Sequence, residues 1–451
     1  MRRAAAALAL FFLFLAASCL IANNPVSGAE VAENTWTAKA PMHVARYGVG
    51  VAVVNGKIYA IGGSTRSGGG GTSDGPTPVT GGTVGTNEQY DPETNIWTTK
   101  TPMPTPIQNF AIAAYKNKIY CMNGKNEVYD VETNTWESKT PMPTPRSSLQ
   151  ANVVDGKIYL IGGYSNGTLN EVYDPETDTW TTETSMPTAS SGYASAVVDN
   201  KIFIIDSNRN QIYDTETDTW SQGASSPSDF LLGGAAGATT GVNAPKRIYV
   251  LGEYSNIWEG EPPYFVRVYD PEKDVWSFGA DIPTHRKLLG VAVLNDVLYA
   301  IGGYTSSYPD FFSISYGPTN TPYATNEQYM PFGYGTVPPA VAVASPENKT
   351  YTSSSIPLDF AVNKPASWVG YSLDGLDNVT VAGNTTLAGF SSGLHNITVY
   401  AKDSFGNIGS SETVIFTVAE PFPTATVAVA SVAVIGLAGV GLLAYFKKRK
   451  R

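Results

Sequence analysis

Apolar and polar positions alternate in short runs along most of the chain, and glycine, asparagine, aspartate and proline separate the runs. VAVVNGKIYAIGG (51–63), ANVVDGKIYLIGG (151–163) and VAVLNDVLYAIGG (291–303) each predict a strand, a tight turn and a second strand. AIAAYKNKIYCMNG (111–124) and ASAVVDNKIFIID (194–206) repeat the pattern. A period of two in β-branched and aromatic residues marks half-buried strands, and Asn55-Gly56 and Asp155-Gly156 are strong signals for tight hairpins.

A second pattern follows each of these hairpins at a short distance. YDPETNIW (90–97), YDVETNTW (129–136), YDPETDTW (173–180), YDTETDTW (213–220) and YDPEKDVW (269–276) each close one apolar strand and open another at tryptophan. One unit is therefore strand a, hairpin, strand b ending near Gly-Gly, loop, strand c ending in Tyr-Asp, turn, strand d. Aspartate and asparagine at such corners bond to the backbone two residues on, and proline presets φ. Catalytic carboxylates must converge on one point, which a turn repeated in unit after unit does not supply. Asp174, Glu176 and their counterparts are thus expected to build turns.

The unit resembles the kelch repeat, a four-stranded propeller blade. The resemblance rests on Gly62-Gly63, Gly162-Gly163 and Gly302-Gly303, on the tyrosines before Asp91, Asp130, Asp174, Asp214 and Asp270, and on Trp97, Trp136, Trp180, Trp220 and Trp276. Blade four departs at Asp206-Ser207, and blade five keeps one glycine, Gly252. NEQYMPFGYG (326–335) lacks a following tryptophan, whereas NTWTAKAPM (34–42) is a strand d with nothing before it. Pairing the two closes a six-bladed ring over residues 30–335, with strand 34–39 completing blade six and leaving no open edge. The expected fold class is all-β throughout.

Beyond a linker at 336–341, short alternating strands over 342–418 resemble an immunoglobulin-like sandwich of the sort found as stalk modules in prokaryotic surface proteins, with Trp368 as its core aromatic. The chain ends differ. Residues 1–29 combine a basic start, an apolar run and the small-residue exit Ser27-Gly28-Ala29, a signal-peptide pattern. A spacer at 419–424 leads to an uncharged stretch, and 425–446 is long enough to span a bilayer as one helix; KKRKR (447–451) holds the C-terminus in the cytoplasm. The expected location is the cell membrane, single-pass, with propeller and sandwich outside.

Composition agrees with many strands and turns: 44 glycines, 30 prolines and 26 tyrosines accompany only 15% charged residues. Two cysteines, Cys19 and Cys121, supply no disulfide framework. The formal net charge is −10, and the part outside the membrane is more acidic still once the terminal cations are set aside. Such a surface repels nucleic acid and anionic lipid. Asn166, Asn348, Asn378, Asn384 and Asn396 head glycosylation sequons, although Asn-X-Thr also suits turns. Asp403 and Asn407 stand too sparsely for a calcium loop. No metal or cofactor is expected.

Function should concentrate where loops depart from the repeat. Blade one inserts 64–85, blade five 253–265 and blade six 304–323, and a closed ring makes them neighbours. They carry Tyr254, Trp258, Tyr264, Tyr304, Tyr308, Phe311, Phe312 and Tyr316, rings able to stack on a sugar or anchor a peptide, or to pack as lids. Arg46, Arg146, His285 and Arg286 fall in the d–a loops, where the arginines either clamp a ligand carboxylate or brace a neighbouring loop. The expected function is non-enzymatic recognition or adhesion towards an extracellular glycan or protein. The alternative is a carbohydrate-active enzyme, because kelch propellers include copper radical oxidases. Such an oxidase needs a Tyr–Cys crosslink and two histidine ligands, a context that Cys121, His43 and His285 do not reproduce.

Overall fold

A computed structural model describes residues 32–68, 71–72, 75–76, 79–206, 209–227, 234–252, 266–307 and 319–420. The expected signal peptide, membrane helix and basic tail lie outside the described residues. Among the described residues no helix is long and apolar enough to cross a membrane. The chain divides into two compact units between Val337 and Pro338.

The first unit contains six four-stranded sheets among the described residues. Blade one runs Gly50–Val54, Lys57–Ile61, Asn87–Asp91, Ile96–Lys100, all antiparallel. Blades two to five repeat this order, with innermost strands Ala111–Tyr115, Ala151–Val154, Ala194–Val198 and Ala235–Ala238. Blade six takes Gly290–Leu294, Val297–Ile301 and Asn326–Met330 from one stretch of chain and its outer strand, Thr35–Lys39, from the other end. Thr35 lies opposite Met330 and Lys39 opposite Asn326. Each innermost strand packs on the next, and Gly290–Leu294 returns to Gly50–Val54, so the sheets form a closed ring.

The core lies between blades. Val51 of blade one packs with Ala292 and Tyr299 of blade six, while Ala52 and Val54 pack with Ile119 and Cys121 of blade two. Strand b is buried along nearly its whole length, as in Ile58, Tyr59, Ala60 and Ile61, which explains its unbroken apolar run. At Gly290 a Cβ would meet Val51 Cγ2 at 2.1 Å. Only glycine lets blades six and one approach this closely.

The repeated octapeptide makes the joints. In blade one the Tyr90 hydroxyl donates to Asn95 Oδ1 at 2.7 Å, the backbone N–H of Ala40 donates to the same oxygen at 2.9 Å, and the Trp97 indole donates to the Ala40 carbonyl at 2.7 Å. Ala40 belongs to the exit of blade six, so one corner clips two blades together. Asn134, Asp178, Asp218 and Asp274 repeat the clip with Tyr129, Tyr173, Tyr213 and Tyr269. The sixth comes from the start of the chain, where Asn34 Oδ1 accepts from the Tyr329 hydroxyl at 2.8 Å and from Ala280 N–H at 2.6 Å. The corner residues are left-handed, with φ of 54° at Asn34, 58° at Asn95 and 55° at Asp178, a conformation that asparagine and aspartate tolerate. Asp174 Oδ1 accepts the backbone N–H of Glu176 at 2.9 Å, so it shapes its own turn.

Three of the six clips use aspartate, and these titrate. The Tyr213 hydroxyl holds Asp218, and the Tyr269 hydroxyl holds Asp274, below the ordinary 3.8. At Asp178, burial pushes upward, but the Tyr173 hydroxyl and Thr140 backbone outweigh it and the net shift is down. A carboxylate held below its unfolded value adds stability above that value and loses it as pH falls through the lowered one. The joints of blades three, four and five therefore weaken in acid, below about pH 4, while the asparagine joints do not. Thermal melts from pH 6 to 2 should show a shallower acid limb for the triple variant Asp178→Asn, Asp218→Asn, Asp274→Asn than for the parent. Parallel limbs would mean that these clips carry no acid sensitivity.

The second unit is two β-sheets around one core. Val341–Ser345, Ser355–Val362 and Thr385–Ala388 form one sheet; Val414–Val418, Gly393–Lys402 and Trp368–Leu373 form the centre of the other. Ile356, Leu358, Leu387, Ile397, Val399 and Phe416 fill the space between them. Trp368, expected in the core, is only partly buried. It stands opposite the exposed Lys402, and its indole donates to Thr380 Oγ1 at 2.9 Å. A polar indole nitrogen finds its partner at the surface, and Phe416 serves as a core aromatic instead.

Candidate functional site

Each of the three loop arginines faces a buried glutamate. Arg46 Nη2 lies 2.8 Å from Glu88 Oε2, Arg146 Nη1 2.7 Å from Glu171 Oε2, and Arg286 Nη1 2.5 Å from Glu327 Oε2, every one of the six side chains buried. The guanidinium groups also donate to strand-b carbonyls: Arg46 to Ala60 at 3.0 Å, Arg146 to Leu160 at 3.0 Å and Arg286 to Ala300 at 2.8 Å. Burial pushes Arg46 down to about 10 against the pull of Glu88, and Arg286 is lowered for the same reason. Of the two roles open to them, the geometry gives bracing. A ligand carboxylate would have to displace a buried glutamate.

His43 sits beside the first pair, Nδ1 at 3.0 Å from Glu88 Oε1, with its ring about half exposed. His285 lies between Thr284, whose hydroxyl donates to Glu327 Oε1, and Arg286. Cys121 is fully buried between blades, and burial pushes its thiol well above the usual range. Among the described residues no group of three histidine, cysteine or acidic side chains is arranged to hold a metal ion. In the second unit Lys364 Nζ lies 2.8 Å from Asp403 Oδ2.

The insertions of blades one and six do meet. Gly68 and Asn320 pair through reciprocal backbone bonds of 3.2 and 3.4 Å, and the Ser67 hydroxyl donates to the Asn320 carbonyl at 3.1 Å. Tyr304 opens the hairpin Tyr304–Ser307 with Thr319–Pro322. Its ring lies 4.6 Å from that of Tyr47, and Lys287 Nζ stands 5.2 Å from its centre. Tyr254, Trp258, Tyr264, Tyr308, Phe311, Phe312 and Tyr316 lie outside the described residues.

Two features of this face were not among the expectations from the sequence. Tyr164, next after Gly162-Gly163, is 70% exposed and holds in blade three the place Tyr304 holds in blade six. Aligning the residues after Gly-Gly in the three blades would have flagged it. Beneath these residues runs a hoop of backbone bonds. Gly48 N–H donates to the Leu288 carbonyl at 2.8 Å, Asn109 to Gly48 at 3.0 Å, Ser148 to Asn109 at 3.2 Å and Gly192 to Ser148 at 2.8 Å. All five residues are left-handed, with φ between 50° at Leu288 and 66° at Gly192. The hoop links blades six, one, two, three and four in turn and gives the loop face a fixed floor.

All five sequon asparagines are exposed, although Asn384 Oδ1 already accepts the backbone N–H of Phe360 at 3.0 Å.

A Kelch motif model matches residues 45–104 and 145–187. Halomucin of Haloquadratum walsbyi is 34% identical over 139 residues, 28% of this chain and 2% of that protein. An F-box/kelch-repeat protein of Arabidopsis thaliana is 31% identical over 118 residues, 25% of this chain and 28% of that one. Kelch repeat and BTB domain-containing protein 8 of Xenopus tropicalis is 36% identical over 92 residues, 20% of this chain and 14% of that protein. The chain thus spans less than a third of the length of each of these relatives. The solved structure of YjhT aligns at a TM-score of 0.47 with 18% identity, over 63% of this chain and 96% of that one. The motif match shows kelch motifs at these two stretches, and the repeated four-stranded sheets and the kelch-repeat relatives agree with it. Kelch repeats generally mediate protein–protein binding.

Proposed function

We propose that this chain is a recognition module anchored at the cell surface, binding a protein segment on the loop face where blades six and one meet. The observation that carries the proposal is the junction itself: Gly68 joined to Asn320, with Tyr304 resting on Tyr47 beside Lys287. It offers a preformed aromatic surface, a hydroxyl and a cation on a hydrogen-bonded floor, the mixture found at binding hot spots. The apolar run at 425–446 and the cations at 447–451 support the anchor. The two-sheet unit then serves as an immunoglobulin-like stalk. A glycan ligand is a second reading, favoured by the exposed ring of Tyr164, on which a sugar face can stack.

The full chain, screened against peptide and glycan panels, should retain peptides. Tyr304→Ala should weaken the retained peptide by about 2 kcal/mol, roughly 30-fold, with its melting temperature little changed. Undiminished binding by the variant would move the site off this junction, and retention of glycans alone would favour the second reading.

A further inference from the structure

Six large apolar residues of the second unit are exposed among the described residues. Leu394 is 71% and Leu376 70% exposed, more than any other large hydrophobic residue among the described residues of this unit. Both belong to the end from which the chain leaves. Gly393 and Leu394 pair with Val418 and Thr417, the last residues of the final strand. Leu376 sits in the turn after Trp368–Leu373, its N–H donating to the Leu373 carbonyl at 3.0 Å, and Asp374 N–H donates to the Asn396 carbonyl at 2.8 Å.

His395 fastens the turn that bears Leu376 to the start of the strand that bears Leu394. Its Nδ1 is 2.7 Å from Asp374 Oδ2 in the turn, and its Nε2 is 2.9 Å from the Ser391 carbonyl just ahead of the strand. Both partners are acceptors, and the Ser391 carbonyl and Asp374 together raise the imidazole above its ordinary 6.5. Phe390 and Phe416 flank it. The turn bearing Leu376 and the strand start bearing Leu394 are therefore fixed to each other, with both leucines exposed.

Only residues 421–424 separate Glu420 from the apolar stretch at 425–446. Four residues reach at most about 14 Å when fully extended, and the headgroup layer on one side of a bilayer takes up roughly 5–8 Å. We propose that this end of the second unit rests on the lipid headgroup layer, with Leu376 and Leu394 entering its apolar boundary. The proposal rests on the membrane anchor put forward above. Asp377 and Glu420 are exposed at the same end, so the contact is apolar, and the lipid it fits is zwitterionic.

The test uses the full chain with Cys19→Ser, reconstituted in phosphatidylcholine vesicles that carry a headgroup nitroxide. Cys121 is buried and takes no label. An environment-sensitive fluorophore is attached at Leu376→Cys, Leu394→Cys or, as control, Ile408→Cys. Ile408 is exposed and pairs with Lys402, at the far end of the same strand about 30 Å away. Labels at 376 and 394 should be quenched several-fold more than the label at 408. Equal quenching at the three positions in chain that floats with the vesicles would overturn the contact while leaving the anchor intact. Chain that does not float would overturn both.

Discussion

Arg286→Ala should destabilise the propeller by about 3–5 kcal/mol, because it leaves the buried carboxylate of Glu327 without its cation. The guanidinium does more than neutralise charge. It donates to the carbonyls of Gly302 at 2.7 Å, Thr284 at 2.9 Å and Ala300 at 2.8 Å, so one planar fork ties the d–a loop, the end of strand b and strand c. Lysine cannot reproduce that fork. Denaturant melts should show the loss, and the double variant Arg286→Met, Glu327→Leu should recover much of it, since an apolar pair of similar volume removes the stranded charge. A ligand-clamping arginine would behave differently, leaving stability intact and weakening only acidic ligands. An Arg286→Ala protein that melts with the parent would restore that reading.

The contrast shows where the sequence was legible. Repetition made the blades readable: Tyr-Asp, the corner asparagine or aspartate and tryptophan recur because each copy makes the same three bonds across the same joint. NTWTAKAPM could be assigned to blade six because only that blade lacked a strand, and Thr35–Lys39 does pair there. The part played by Asn34 was also open to view, since Asn34-Thr35-Trp36 matches Asp178-Thr179-Trp180.

The arginines were harder, because a loop position near the axis does not say which way a side chain turns. A signal existed all the same. Arg46, Arg146 and Arg286 occur in the blades whose strand c carries Glu88, Glu171 and Glu327, whereas in blade two Glu127 takes the Thr105 hydroxyl at 2.5 Å, and in blade four Gln211 takes the Thr188 backbone at 2.9 Å. The hoop left no trace, because leucine, glycine, asparagine and serine all fill its left-handed positions. Trp368 was misplaced because apolar bulk was weighed without the indole N–H, which needs a partner.

Closure of the ring by the start of the chain is what sets the loops of blades six and one side by side, and removing residues 30–40 tests it most directly. The deletion strips the outer strand from Asn326–Met330, takes Trp36 from its place against Tyr329 at 4.9 Å, and removes the Asn34 oxygen that receives Tyr329 and Ala280. Trp36 is part-buried, so its loss costs less than the about 3–5 kcal/mol of a core tryptophan, and the ladder adds about 1 kcal/mol for each lost bond. Together they approach the roughly 5–15 kcal/mol that holds a domain folded, and the bared strand is a template for aggregation. Size-exclusion chromatography with thermal melting should find the truncated chain aggregated, and a synthetic peptide of residues 30–42 added during refolding should return it to a monomer with the parental melting temperature. A truncated chain that is monomeric and melts like the parent without the peptide would contradict ring closure and, with it, the placing of the site.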